Sequence, residues 1–156
     1  MFQLTTVWRR RRARRTGAVM VECAIVLPVM LLTLFAMLDL GLAAVRYNAL
    51  AEASRRIARE AILHGAVAPS SSGVWGPAEF NGTADDSSPI VAPIQQLLPT
   101  MPASDVDVRV TWPVSDNSPR DPVQVEVSYV HTPLVPAFSV WGPITIRSVA
   151  TMHIVN

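Results

Sequence analysis

The chain has no lysine, a single cysteine and few charges: only 16% of its 156 residues are charged. A soluble domain carries about a quarter, so the composition leans toward a membrane. With Cys23 alone, an intrachain disulfide scaffold is excluded, and so is a CxxC-type zinc site. Half of the residues are apolar, which excludes disorder throughout. The three histidines, His64, His131 and His153, are scattered, and no serine or cysteine stands in a nucleophile context. The residues therefore offer no catalytic constellation, and no cofactor is expected. The absence of lysine leaves arginine as the only permanent cation, a coding bias with no structural meaning.

What charge there is follows a strict order. Residues 1–17 hold six arginines and no acid, for +6, although the whole chain is only +1. Residues 18–45 sum to −2, residues 46–65 to +2, and residues 66–156, with three arginines and eight acids, to −5. The block Arg9, Arg10, Arg11, Arg12, Arg14 and Arg15 directly precedes the apolar stretch Ala18–Val45. The uncharged run Cys23–Leu38 gives about 24 Å of helix. Counted from Ala18 to Asp39 the rise is about 32 Å, close to a hydrocarbon thickness of ~30 Å. Pro28 inside the run predicts a kink and not a break, because membrane helices absorb proline by local adjustment. Arginines before the span and an acidic segment after it predict a cytoplasmic N-terminus and an extracytoplasmic remainder. Arginine clusters also bind nucleic acid, but abutting a span they read as a topology signal, and no nucleic-acid partner is expected.

The helical pattern continues beyond the span. Residues 46–63 are rich in helix formers, with Tyr47, Leu50, Ser54, Ile57, Ala58 and Ala61 on one stripe. His64-Gly65 and then Pro69 predict its end. One helix from about 18 to 63 results, and its amphipathic half requires something to pack on the stripe. Residues 66–104 are rich in Pro, Ser, Gly and Ala and read as an irregular connection, with a short helical turn near IVAPIQQLL. Strands follow. Val106, Val108, Val110 and Trp112 alternate onto one face, as do Val123, Val125, Val127 and Tyr129, and residues 144–155 form a third strand. The expected fold class is α+β: a long N-terminal transmembrane and amphipathic helix packed on a small antiparallel sheet. The expected segments are a basic cytoplasmic leader (1–17), a transmembrane helix (18–45), its amphipathic continuation (46–65), a linker (66–104) and a three-stranded sheet (105–156).

These residues carry a resemblance. Gly17-Ala18-Val19-Met20-Val21-Glu22 before an apolar helix resembles the type IV prepilin processing motif, and RRRRARRTG resembles its basic leader. More narrowly, RRTGAVMVECAIVLPVMLLTLFAMLDLG, with its late Asp39-Leu40-Gly41 step, resembles the N-terminal region of the TadE-like proteins of Flp/Tad pilus assembly. AEASRRIAREAI resembles that family's Ala/Arg-rich helix, and VQVEVSYVHTPLVPAF with ITIRSVATM loosely resembles its strand–loop–strand ending. The resemblance implies cleavage by a membrane prepilin peptidase between Gly17 and Ala18. It implies a mature pseudopilin in the bacterial inner membrane, partnered by other pilin-like subunits and the Tad inner-membrane assembly machinery. The chain would be a substrate of an enzyme and not itself an enzyme.

The physics of the motif agrees. Gly17 has no side chain, so an extended leader enters a narrow cleft there. Cleavage removes +6 of charge and frees an α-amino group. Glu22 then lies about 6 Å into the helix, where an unpaired carboxylate costs a few kcal/mol and a neighbouring subunit's amino group is the obvious partner. Competing readings are blander. Gly17 and Glu22 could merely flank a signal anchor. The chain would then be a single-span envelope protein whose outer domain binds a ligand or surface polymer. Gly41-Leu42-Ala43 could be a signal peptidase site, and Arg9-Arg10 a twin-arginine signal lacking the rest of its motif. Cys23 reads as a buried membrane thiol. His131 and His153 read as solvent-facing strand positions. Asp105 with Asp107, and Asp85 with Asp86, read as solvated polar groups and not as calcium ligands. Asn81-Gly82-Thr83 matches a glycosylation sequon. Trp75, Trp112 and Trp141 read equally as core or as adhesive surface.

Overall fold

The structure, a computed structural model, describes residues 5–134 and 142–155, with side chains from Gly17 onward. Two compact units are present, residues 1–40 and 41–156. In the first, the helix α1 (Thr5–Ala61) begins. Its apolar side chains point outward, with Met20 75% and Leu40 72% exposed. A surface this apolar has no place in water and marks a helix long and apolar enough to cross a membrane. Pro28 leaves the helix unbroken, although its missing N–H deprives Ala24 of an intrahelical donor. Thr33 Oγ1 donates to the Val29 carbonyl 2.9 Å away.

In the second unit, the part of α1 from Gly41 onward lies on an antiparallel meander of four strands in sequence order. These are β1 (Phe80–Thr83), β2 (Val106–Thr111), β3 (Pro122–His131) and β4 (Ile144–His153). The alternation in β2 and β3 does what its period dictates. Val106, Val108, Val110, Val123, Val125 and Val127 are all essentially fully buried, and Tyr129 nearly so. Register stacks Val110, Val125 and Ala150 in one row across three strands, and Val108, Val127 and Ser148 in the next. Each buried valine is worth about 1.5–3 kcal/mol relative to exposure. The helix meets this face through Leu50, Ala53, Ser54, Ile57, Ala58 and Ala61. Most of these are small side chains. Tyr47, expected on the stripe, is 51% exposed, and Ala53 takes a place on it instead.

Three ties fix the direction of the helix on the sheet. Arg46 Nη1 lies 2.6 Å from His131 Nδ1 at the end of β3. Ser54 Oγ lies 3.1 Å from Ser148 Oγ in the middle of β4. The Val155 amide, just past β4, donates to the Ile62 carbonyl at 3.1 Å. The helix therefore runs parallel to β4.

The connection 66–104 is more structured than its composition predicts. It supplies β1, paired with β2 from Phe80↔Val110 to Thr83↔Asp107, so the sheet has four strands and not three. At four residues, with Gly82 inside it, β1 is too short for a period-2 pattern to be visible. Val91, Ile94, Leu98 and Met101 are buried against the core, and the expected turn forms as a 3₁₀ segment, Ala92–Ile94.

Candidate functional site

The segment singled out by the sequence is Arg9 to Glu22. Arg9, Arg10, Arg11, Arg12, Arg14 and Arg15 lie on the helical backbone of α1, and their side chains are outside the described residues. The helix is continuous across Gly17 and Ala18. The extended leader expected inside a peptidase cleft would therefore require the helix to unwind locally at Gly17. Gly17 is not there for packing, because a Cβ built on it meets nothing within 4 Å. Yet glycine in a helix interior is about 0.8–1 kcal/mol less favourable than alanine. Glycine therefore weakens the helix at this point.

Glu22 and Cys23 are both exposed on the helix. Among the described residues Glu22 makes no ion pair. Among the described residues nothing explains a carboxylate one turn into an apolar helix.

In the second unit the polar residues have structural duties. His131 is 2% exposed, which corrects its reading as solvent-facing. The alternation of β3 continues through position 131 and puts the ring on the inner face, so the signal was present in the sequence. A guanidinium only donates, so Arg46 donates to His131 Nδ1 and also to the Thr100 carbonyl, 3.2 Å away. The Arg46 Cζ stands 5.1 Å from the Tyr129 ring centroid, within cation–π range. His153 is exposed, as expected.

The tryptophan question resolves at two of three positions. The Trp112 indole is buried and donates to Asn117 Oδ1 at 3.1 Å, while the Asn117 amide donates to the carbonyls of Trp75 and His64. Trp75 is partly buried and stacks flat on His64, ring centroids 4.0 Å apart. Gly76, with φ +80°, lies so close to Trp112 that no side chain fits. Trp141 lies outside the described residues.

The outer face of the sheet carries a ladder of exposed ion pairs, Glu79–Arg109 and Glu126–Arg147. The hydrogen bond from Arg109, and secondarily one from Asn81, holds the Glu79 carboxyl below its ordinary range. The same bond raises the Arg109 guanidinium. A shallow depression of about 380 Å³ lies beside it, lined by Asn81, Asp107, Arg109, Glu126 and Ser128. Asn81 of the sequon donates to Glu79, and Thr83 to Asp85. No group of three or more His, Cys, Asp or Glu side chains that could hold a metal occurs among the described residues.

These features define a chain with one helix long and apolar enough to cross a membrane and a helix-on-sheet domain. Residues 17–59 match the family model described as TadE-like protein, the family that the leader resembles. No curated protein and no solved structure matches the chain. The match covers the apolar helix and its amphipathic continuation and none of the strands.

Proposed function

We propose that the chain is a TadE-like pseudopilin, a minor pilin-like subunit that supports assembly of an adhesive Flp/Tad-type pilus after a prepilin peptidase cuts between Gly17 and Ala18. One observation carries the reading. The family match begins at Gly17 and runs through Glu22, and these are two residues for which the fold itself has no use. Cleavage removes the arginine block, which fixes the helix to the cytoplasmic side, and leaves Ala18 with a free amino group. The helix can then move sideways among like helices, where Glu22 pairs with the amino group of a neighbour. The protein sits in the inner membrane with its sheet domain extracytoplasmic, and its partners are the peptidase, other pilin-like subunits and the Tad inner-membrane machinery.

The intact mass of the membrane-extracted protein tests the reading. A chain beginning at Ala18 is expected in cells that contain the peptidase. An unprocessed chain in such cells rejects the proposal, and a chain beginning at Ala44 establishes signal peptidase cleavage instead. An alkaline phosphatase fusion after Asn156 is expected to be active, and activity only from a cytoplasmic reporter reverses the topology.

A further inference from the structure

The apolar run of α1 ends at Val45, and Arg46 is the first charge after Asp39. If α1 spans the membrane as proposed above, the hydrocarbon boundary lies near the helical turn Gly41–Val45. That turn belongs to the same compact unit as the sheet, and Arg46 is bonded to His131 and to the Thr100 carbonyl. The end of the sheet where β3 stops and β4 starts is thus tied through Arg46 to the turn that follows the span.

That end has the surface of an interfacial element. Leu134 is 65% exposed, Ile144 55% and Val130 47%. Ile144, the register partner of His131, lies on the helix-facing side of the strand end and Val130, the partner of Thr145, on the outer side, so the strand ends carry exposed apolar side chains on both faces. From Val127 to Ile146 the sequence has no Asp, Glu, Lys or Arg. The opposite end of the sheet, marked by the contact of Val155 with Ile62, carries Asp116, Arg120 and Asp121 in the loop that leads into β3. Apolar side chains tethered beside a hydrocarbon boundary, with no charge among them, partition into the headgroup–acyl region. Arg46, Tyr129 and His131 lie just behind them with the cationic and aromatic character that suits that depth.

We propose that the β3–β4 corner, through Leu134, Ile144 and Val130, docks on the extracytoplasmic leaflet of the bilayer. The proposal rests on the reading of α1 as a membrane span, and its test separates the two. The full chain with Cys23→Ala is reconstituted into phosphatidylethanolamine/phosphatidylglycerol vesicles. Nitroxide is placed singly at Leu134→Cys, Ile144→Cys, Val67→Cys or Met30→Cys. Collision with oxygen, which favours lipid, is compared with collision with a water-soluble nickel chelate. The oxygen-to-nickel ratio is expected to rise several-fold at positions 134 and 144 over position 67, which is equally apolar and exposed, and to be highest at 30. A lipid-like ratio at 30 with water-like ratios at 134 and 144 overturns the docking and leaves the span intact. Low collision with both reagents at 134 and 144 shows burial by protein and overturns it in favour of a subunit contact. A water-like ratio at 30 rejects the span, and the docking with it.

Discussion

Gly17→Leu separates what the fold needs from what a peptidase needs. A Cβ at position 17 meets nothing within 4 Å, and the same is true of Gly41, also inside α1. Neither substitution therefore produces a clash within the chain. Leucine is better than glycine in a helix by about 0.8 kcal/mol, which shifts a local unwinding equilibrium roughly fourfold toward helix. That shift alone slows cleavage modestly. The isobutyl group adds a steric block at a cleft shaped for a residue without a side chain, and together they should leave most of the protein uncut. The assay is intact mass of membrane-extracted protein from cells containing the peptidase, with Gly41→Leu as the matched control. The control has the same helical gain and the same empty surroundings, and should be processed as fully as the wild type. Complete processing of Gly17→Leu refutes the reasoning, since Gly17 would then not be what the peptidase reads. Equal loss in both variants refutes it differently, by showing that helix strengthening or insertion controls processing.

Glu22→Ala should leave insertion intact and cleavage largely intact while weakening capture of partner pilin-like subunits and reducing piliation; capture and piliation at wild-type levels would reduce Glu22 to a tolerated flank charge. Gly76→Ala should destabilise the sheet domain by about 2–4 kcal/mol, combining a left-handed backbone with overpacking, because its Cβ would stand 2.6 Å from Trp112 Cζ2; thermal unfolding followed by tryptophan fluorescence in detergent reads this, and an unchanged midpoint contradicts the geometry. Glu79 should titrate below an ordinary glutamate in carboxyl-resolved NMR, and Arg109→Ala should move its midpoint back up. Because the folded value is depressed, any stability from this pair is present above the unfolded value and is lost as pH falls through the folded one; exposure keeps the effect small.

The parts legible in sequence are those where one period dominates. The odd-numbered residues from Val123 to Tyr129 are buried because strand geometry leaves them no other face, and the same rule, carried two residues further, would have placed His131 inside. The helix stripe was legible except at Tyr47, where an amphipathic wheel cannot tell a stripe's edge from its exposed flank. β1 was not legible, since Phe80–Thr83 is defined by its pairing to β2 and by the outer-face contact of Glu79 with Arg109, a pair 30 positions apart. The tie between Arg46 and His131 spans 85 positions and carries no local signature. Gly17 and Glu22 stand out in the sequence for the opposite reason: they break local preference, and among the described residues neither gains a packing or ion-pair partner in return.

That contrast bears on function. Within the sheet domain each departure from preference has a local cause: Gly76 is held against Trp112, Ser54 faces Ser148, and buried His131 receives Arg46. A carboxylate inside an apolar helix is a larger departure, unfavourable by about 2.5–3.5 kcal/mol at mid-membrane on insertion scales and less near its edge. Glu22 has no cation beside it among the described residues. A plain anchor would be better off with alanine there. On the proposed function the compensating charge comes from another molecule, one that reaches the first turn of the mature helix. The amino group created at Ala18 of a second, similarly processed subunit satisfies both conditions, and it exists only after the cut at Gly17. On the proposed function processing and pairing form a single mechanism: cleavage exchanges the arginine block for an α-amino cation placed at the start of the apolar helix, where Glu22 of a neighbour can meet it.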